Sequence, residues 1–146
     1  MFSEDLKEGQ QAEQEFANWA IKEGLSVERI PGNFAPYDMI VYDDVDQFKI
    51  EVKLDRKAHY TGNVGIELYK QVNGVDMPSG LSGSEADTFV FKLLNIPGMF
   101  AIPTHKLRKL AEEKKYKAGK WCGDGGRTYM LLFDKEFFLT QCNYLD

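Results

Sequence analysis

The chain has 146 residues, 43% hydrophobic and 13% aromatic, with a net charge of −5 at pH 7. This is the composition of a globular protein, sufficient for one core in one domain over 1–146, and it excludes a disordered polymer. Wholly apolar stretches such as Met130-Leu131-Leu132-Phe133 fall far short of the roughly 20 residues a membrane span needs, and the acidic Met1-Phe2-Ser3-Glu4-Asp5 start is unlike a secretory leader.

The first predicted element is a helix over 4–24, capped by Ser3 and stopped by Gly24. Leu6, Gly9, Glu13, Phe16 and Ala20 fall on one stripe, with Ala12 and Trp19 beside them. Glu13 stands where leucine is expected. A carboxylate facing inward is costly unless it is paired or bound to a cation, and a slightly rotated helix that leaves Glu13 at the rim is the alternative. A short strand over 26–30 follows, broken by Pro31-Gly32-Asn33. The spacing then predicts strands over 37–42 and 47–54, joined by the acidic turn Asp43-Asp44-Val45-Asp46. In the second of these, Phe48, Ile50, Val52 and Leu54 share one face, and Lys49, Glu51, Lys53 and Asp55 share the other.

A polar connection runs over 56–63 and a strand over 64–69. Residues 73–85 are rich in glycine and serine and read either as a flap over substrate or as a long connection. Strands are expected over 87–93 and 99–102, then a helix capped by Thr104 and running from His105 to about Lys117. A turn over 123–126, a strand over 128–133 and a closing helix from 134 to about 141 complete the pattern. Cys122 and Cys142 lie far apart without zinc spacing, which suits a reduced setting.

Charge is unevenly placed. Residues 103–127 hold 8 basic and 3 acidic side chains, against 9 basic and 17 acidic in residues 1–102. A cationic segment on an anionic body is either a solvated helix face or a phosphate-binding strip.

Asp38 opens one strand, and Glu51 and Lys53 project together from the next. Two carboxylates beside one ammonium suit a hard divalent cation and a phosphodiester, which points to a metal-dependent nuclease. An ordinary surface ion pair would account for Lys53, and a turn cap for Asp38. His59 and His105 read as surface or capping histidines, while Tyr60, Asn63 and Glu67 border the site without a spacing rule that requires it.

The order of helix glutamate, strand aspartate and Glu51-Val52-Lys53 resembles the PD-(D/E)XK nuclease superfamily. The segment Gly9-Gln10-Gln11-Ala12-Glu13-Gln14-Glu15-Phe16 is similar to the opening of the archaeal-type Holliday junction resolvases, over roughly residues 7–57. One departure is Pro36, separated from Asp38 by Tyr37, and another is the acidic net charge. The resemblance implies an α/β (α+β) restriction-endonuclease-like fold, a mixed β-sheet of about five strands flanked by helices. It implies Glu13, Asp38, Glu51 and Lys53 as catalytic residues. Mg2+, with Mn2+ as a substitute, would be held by Asp38, Glu51, the Val52 carbonyl and Glu13. Arg56, Lys57, Lys106, Lys109, Lys114, Lys115 and Lys117 are the cations expected to meet DNA, with branched DNA favoured. A cytoplasmic homodimer of bacterial, archaeal or phage origin is the expected setting. The alternatives are a sequence-specific duplex endonuclease of homing or restriction type on the same fold, and a non-catalytic nucleic-acid-binding protein.

Overall fold

Residues 2–31 and 36–146 are described in a computed structural model. Ala12, Phe16, Ala17 and Ala20 are buried at helical spacing, and their stripe lays α1 (Phe2–Lys22) on a sheet. The helix backbone already runs from Phe2, and the capping side chain read for Ser3 lies outside the described residues, as does part of the Pro31–Asn33 break. Gly24, at φ 85, ends the turn after α1, where the Leu25 N–H reaches the Ala20 carbonyl at 2.9 Å.

The chain continues through β1 (Ser26–Arg29), β2 (Met39–Tyr42), β3 (Gln47–Asp55), the one-turn helix α2 (Ala58–Thr61), β4 (Asn63–Val72) and β5 (Val75–Pro78). It then forms α3 (Gly80–Gly83), β6 (Thr88–Leu93), β7 (Met99–Pro103), α4 (Thr104–Glu112) and β8 (Ala118–Cys122). A 3-10 turn at Asp124–Gly126, β9 (Thr128–Asp134), α5 (Lys135–Thr140) and β10 (Asn143–Leu145) finish it. No helix among the described residues is long and apolar enough to cross a membrane.

Two sheets form where one of about five strands was expected. The larger has six strands in the order β1-β2-β3-β6-β7-β10, mixed because β3 and β6 run parallel while its other pairs are antiparallel. The second is antiparallel, β5-β4-β9-β8. Beneath α1, Met39, Val41, Ile50, Val52, Val90 and Met99 make one core. On the other side of the large sheet Phe89, Phe91 and Ile102 join Val64, Ile66, Leu131, Phe133 and Phe138 in a second. β3 therefore lies between two packed layers, and its charged face is on the side of the second sheet, partly open to water.

Three boundaries differ from the sequence reading for local reasons. The 73–85 stretch is not structureless, because Asn73 (φ 52) and Gly74 (φ 78) form a tight turn that pairs β5 with β4. β8 escaped notice because Ala118-Gly119-Lys120-Trp121-Cys122 has no alternation; Gly119 leaves room for the Tyr129 ring, which a Cβ there would strike. The helix expected to reach Lys117 stops at Glu112. Its end is closed by Lys114 N–H to Ala111 at 3.1 Å and Lys115 N–H to Leu110 at 3.0 Å, the pairing seen after α1, but with lysine at φ 55 where α1 uses glycine.

A side chain in that left-handed position costs about 1 kcal/mol, partly recovered through the unfolded chain. Lys114→Gly is therefore expected to raise the melting temperature by about 1–2 °C. A calorimetric scan showing no rise, or a fall, would contradict that reading of the turn.

Candidate active site

β2 begins at Met39, two residues later than the sequence suggests, so Asp38 sits just before the strand. Its backbone remains in the ladder, donating to Ile50 O and accepting from Ile30 N, both at 2.9 Å. Its Oδ2 accepts the Val52 N–H at 2.7 Å, which ties the aspartate to the middle of β3. Two positions of β3 then supply the neighbouring groups. Glu51 and Lys53, both on the second-sheet face, form an ion pair at 2.9 Å. Glu51 is nearly enclosed, its side chain 13% exposed, while that of Lys53 is 42% exposed.

The electrostatics follow from this crowding. Burial pushes the Asp38 carboxyl up from 3.8 to about 6; the Val52 N–H opposes the shift, and the charges of Glu13 and Glu51 reinforce it. Burial would lower the Lys53 pKa, but Glu51, through charge and hydrogen bond, outweighs it with help from Glu67 and Asp38, and holds the ammonium above its usual 10.5. Glu13 thus lies within electrostatic reach of Asp38, at the half-buried edge of α1 and not in its core. Its carboxylate also faces Arg29 at 3.4 Å.

Ser84 was not foreseen. Its buried hydroxyl donates to Glu51 Oε1 at 2.7 Å and accepts from the Ala86 N–H at 3.0 Å. The Arg108 guanidinium, from α4, holds the same loop by donating to the carbonyls of Leu81 at 3.1 Å and Ser84 at 2.8 Å. The 73–85 stretch therefore ends as a fixed bracket on Glu51. No local pattern marks a bond between residues 51 and 84; the only sign was the serine-glycine composition of the loop. Asp55 is a second bracket, its Oδ1 accepting from Lys57 and Ala58 N–H at 2.9 Å each and its Oδ2 from Gly65 at 3.1 Å.

The cations expected to meet DNA divide into two groups. Arg56 and Lys57 line a cavity of about 670 Å3 that also includes Lys53, Glu67, Tyr60 and Asn63. Arg56 additionally faces Glu8 at 3.2 Å. Lys106, Lys109, Lys114, Lys115 and Lys117 do not line it; Lys120, unforeseen, does. Lys106 is turned to the Gln141 carbonyl at 2.7 Å, and Lys117 faces Asp134 at 3.8 Å. Lys114 and Lys115 lie in the turn after α4 rather than on a helix face. Burial pushes the Cys142 thiol up to about 12, which leaves it unreactive.

Among the described residues no group of three or more Asp, Glu, His or Cys side chains could hold a metal ion. The donors just before β2 and on β3 are a carboxylate pair, Asp38 and Glu51. A pair fits Mg2+, which keeps several waters and takes one or two protein carboxylates. A cation would also relieve the like-charge part of the Asp38 shift, which Glu13 and Glu51 add to the larger effect of burial.

A six-stranded mixed sheet carrying a helix on one face resembles the restriction-endonuclease-like fold. Two solved structures share the fold. Archaeoglobus fulgidus Hjc, a Holliday junction resolvase from an archaeal hyperthermophile, superposes with a TM-score of 0.52 at 15% identity over 94% of this chain and 92% of its own. The bacterial homing endonuclease I-Ssp6803I gives 0.53 at 22% identity, and that match spans 66% of each chain. No protein-family model and no curated protein matches the sequence.

Proposed function

We propose that this protein is a metal-dependent endodeoxyribonuclease that hydrolyses phosphodiester bonds in DNA, with branched junctions as its preferred substrate. The observation that carries the reading is the enclosed Glu51, gripped by Lys53 and Ser84 beside an Asp38 whose ionisation is opposed by burial and like charge. An assembly of this kind costs stability and gains a purpose when a cation joins it.

Asp38 and Glu51 would hold Mg2+ or Mn2+, with the Val52 carbonyl as a third oxygen and Glu13 acting through water. When bound, the ion polarises the scissile phosphate and acidifies a coordinated water. Lys53 then places its ammonium against the non-bridging phosphate oxygens, where negative charge grows as the water attacks. Ser84 and the Val52 N–H keep the two carboxylates from swinging away. Arg56 and Lys57 steer the strand by its phosphates, as would the exposed Lys109, Lys114 and Lys115 on a longer duplex arm. Opposed strands of a junction require a two-fold dimer.

The likeness to a homing endonuclease favours a second reading, cleavage of one duplex sequence. Incubation of the protein and Mg2+ with a four-way junction, a fork, plain duplex and single strands separates the two. Paired symmetric nicks in the junction are expected. Cutting confined to one duplex sequence would replace this reading with the second, and binding without cutting of any DNA would remove both.

The Ser84 bracket makes its own prediction. Ser84→Ala frees one oxygen of Glu51 and is expected to slow single-turnover cutting about 10–100-fold and raise the Mg2+ needed for half-maximal rate. DNA affinity in the absence of metal should not change. An unaltered rate and Mg2+ requirement would show that Glu51 needs no such support.

A further inference from the structure

Lys53, Arg56 and Lys57, used in the hydrolytic reading above, stand on the wall of the cavity beside Lys53, but its apolar interior has no part in that chemistry. At about 670 Å3 it matches small-molecule pockets, not a packing void. Much of its wall is apolar, formed by Met130 and Leu132 with the buried rings of Phe89 and Phe91, and polar side chains complete it. Lys57 and Lys120, both exposed, stand at its rim. Tyr60 lies there too, 67% exposed on α2. A ring so exposed adds little to the core, and it offers a face for stacking.

One wall carries the Glu67 carboxylate, whose charge is felt at Lys53. An anion inside the cavity would meet that carboxylate, whereas a flat aromatic body with N–H groups on its edge would find both apolar walls and an acceptor. Cations at the rim, an acceptor and grease within, and an exposed aromatic ring at the entrance together describe a nucleotide entering base first.

We propose that this cavity is a nucleobase pocket, taking one unstacked base of the DNA strand whose adjoining phosphate lies at Lys53. The proposal rests on the hydrolytic reading for the identity of the polymer and for the phosphate at Lys53. Tyr60 stacks on the base, Glu67 accepts from its edge, and Lys57 and Lys120 hold the flanking phosphates. A paired base must first be pulled from its stack, at a cost that an unpaired one avoids. The pocket therefore selects strands with an unpaired or weakly paired nucleotide beside the cut, such as junction centres, forks and flaps, over perfect duplex.

Protein labelled with [13C-methyl]methionine tests this directly, because Met130 lines the cavity while Met39 and Met99 lie in the opposite core under α1. A short oligothymidylate is titrated into the wild-type chain in EDTA, so that no strand is cut. The Met130 methyl is expected to shift strongly while Met39 and Met99 stay in place, and a perfect duplex of equal length should move it far less. Tyr60→Ala should weaken oligothymidylate binding about tenfold, as for loss of one stacked base, and Lys120→Ala should flatten the salt dependence of binding.

A Met130 signal that does not move at saturating oligothymidylate, or fails to show binding at all, overturns the pocket. So does a shift of equal size with perfect duplex. The two proposals fail separately: DNA cutting with a silent Met130 removes the pocket alone, and a shifted Met130 in a protein that cuts no DNA removes the hydrolytic reading alone.

Discussion

Glu51→Gln is expected to lower junction cutting by roughly a thousandfold or more, as removal of a group that acts only at the reacting centre does. DNA affinity without metal should stay within a few fold of wild type. The amide keeps the shape of the side chain and an oxygen that can accept from the Ser84 hydroxyl, bonded to Glu51 at 2.7 Å. The fold should therefore survive. Glu51→Ala also removes that acceptor and leaves a gap in an enclosed position, so comparing the two variants isolates the charge from the packing. If both variants cut at the wild-type rate, β3 does not carry the active site. If only the alanine variant is slow, Glu51 is structural.

Asp38→Asn has the second large effect, and it runs in opposite directions for activity and stability. Cutting should fall as far as in Glu51→Gln. The folded protein, however, should become more stable at alkaline pH. Burial raises the Asp38 pKa from 3.8 to about 6, so the native state favours the protonated acid. That contribution is fully present below about pH 4 and is lost as the pH rises through 6. At pH 8 the ionised aspartate therefore weighs against the native state, by about 1–2 kcal/mol after allowance for its partial access to water. Asparagine carries no charge and can still accept the Val52 N–H that Asp38 holds at 2.7 Å. Chemical denaturation in EDTA should show the variant more stable than wild type at pH 8, with the gap closing near pH 4. Mg2+ or Mn2+ should stabilise wild type and leave the variant unmoved. A variant less stable at pH 8 would mean that the carboxylate is a structural anchor and not a stored cost.

The parts of the candidate site that lie on one short stretch of chain share a face that the sequence shows. Alternation from Gln47 to Asp55 put Glu51 and Lys53 on a common face, and they form an ion pair at 2.9 Å. The odd carboxylate in the α1 stripe, Glu13, does come within electrostatic reach of Asp38, although it sits on the edge and faces Arg29. What sequence could not supply are contacts that join remote segments. Ser84 meets Glu51 because α3 and the Arg108 bonds fold the loop back over β3. The second sheet was missed for two physical reasons. Asn73-Gly74 has the composition of any loop as well as of a hairpin turn, and β8 is an exposed edge strand without a buried face. Because that sheet has no pattern in the sequence, the cavity beside Lys53 had no sequence signature.

The cation strip was legible as composition but not as geometry. Its lysines are distributed among the α4 face, the turn after it and partners such as Gln141 and Asp134. Only Lys57, Arg56 and the unforeseen Lys120 come to the cavity beside Lys53.

Calorimetric titration of Mn2+ into the wild-type protein, the Glu51→Gln variant and the Asp38→Asn variant reaches the carboxylate pair without the complication of DNA. A saturable site in wild type that disappears in both variants is the expected result. Undiminished binding in either variant would place the ion elsewhere and detach β2 and β3 from the chemistry.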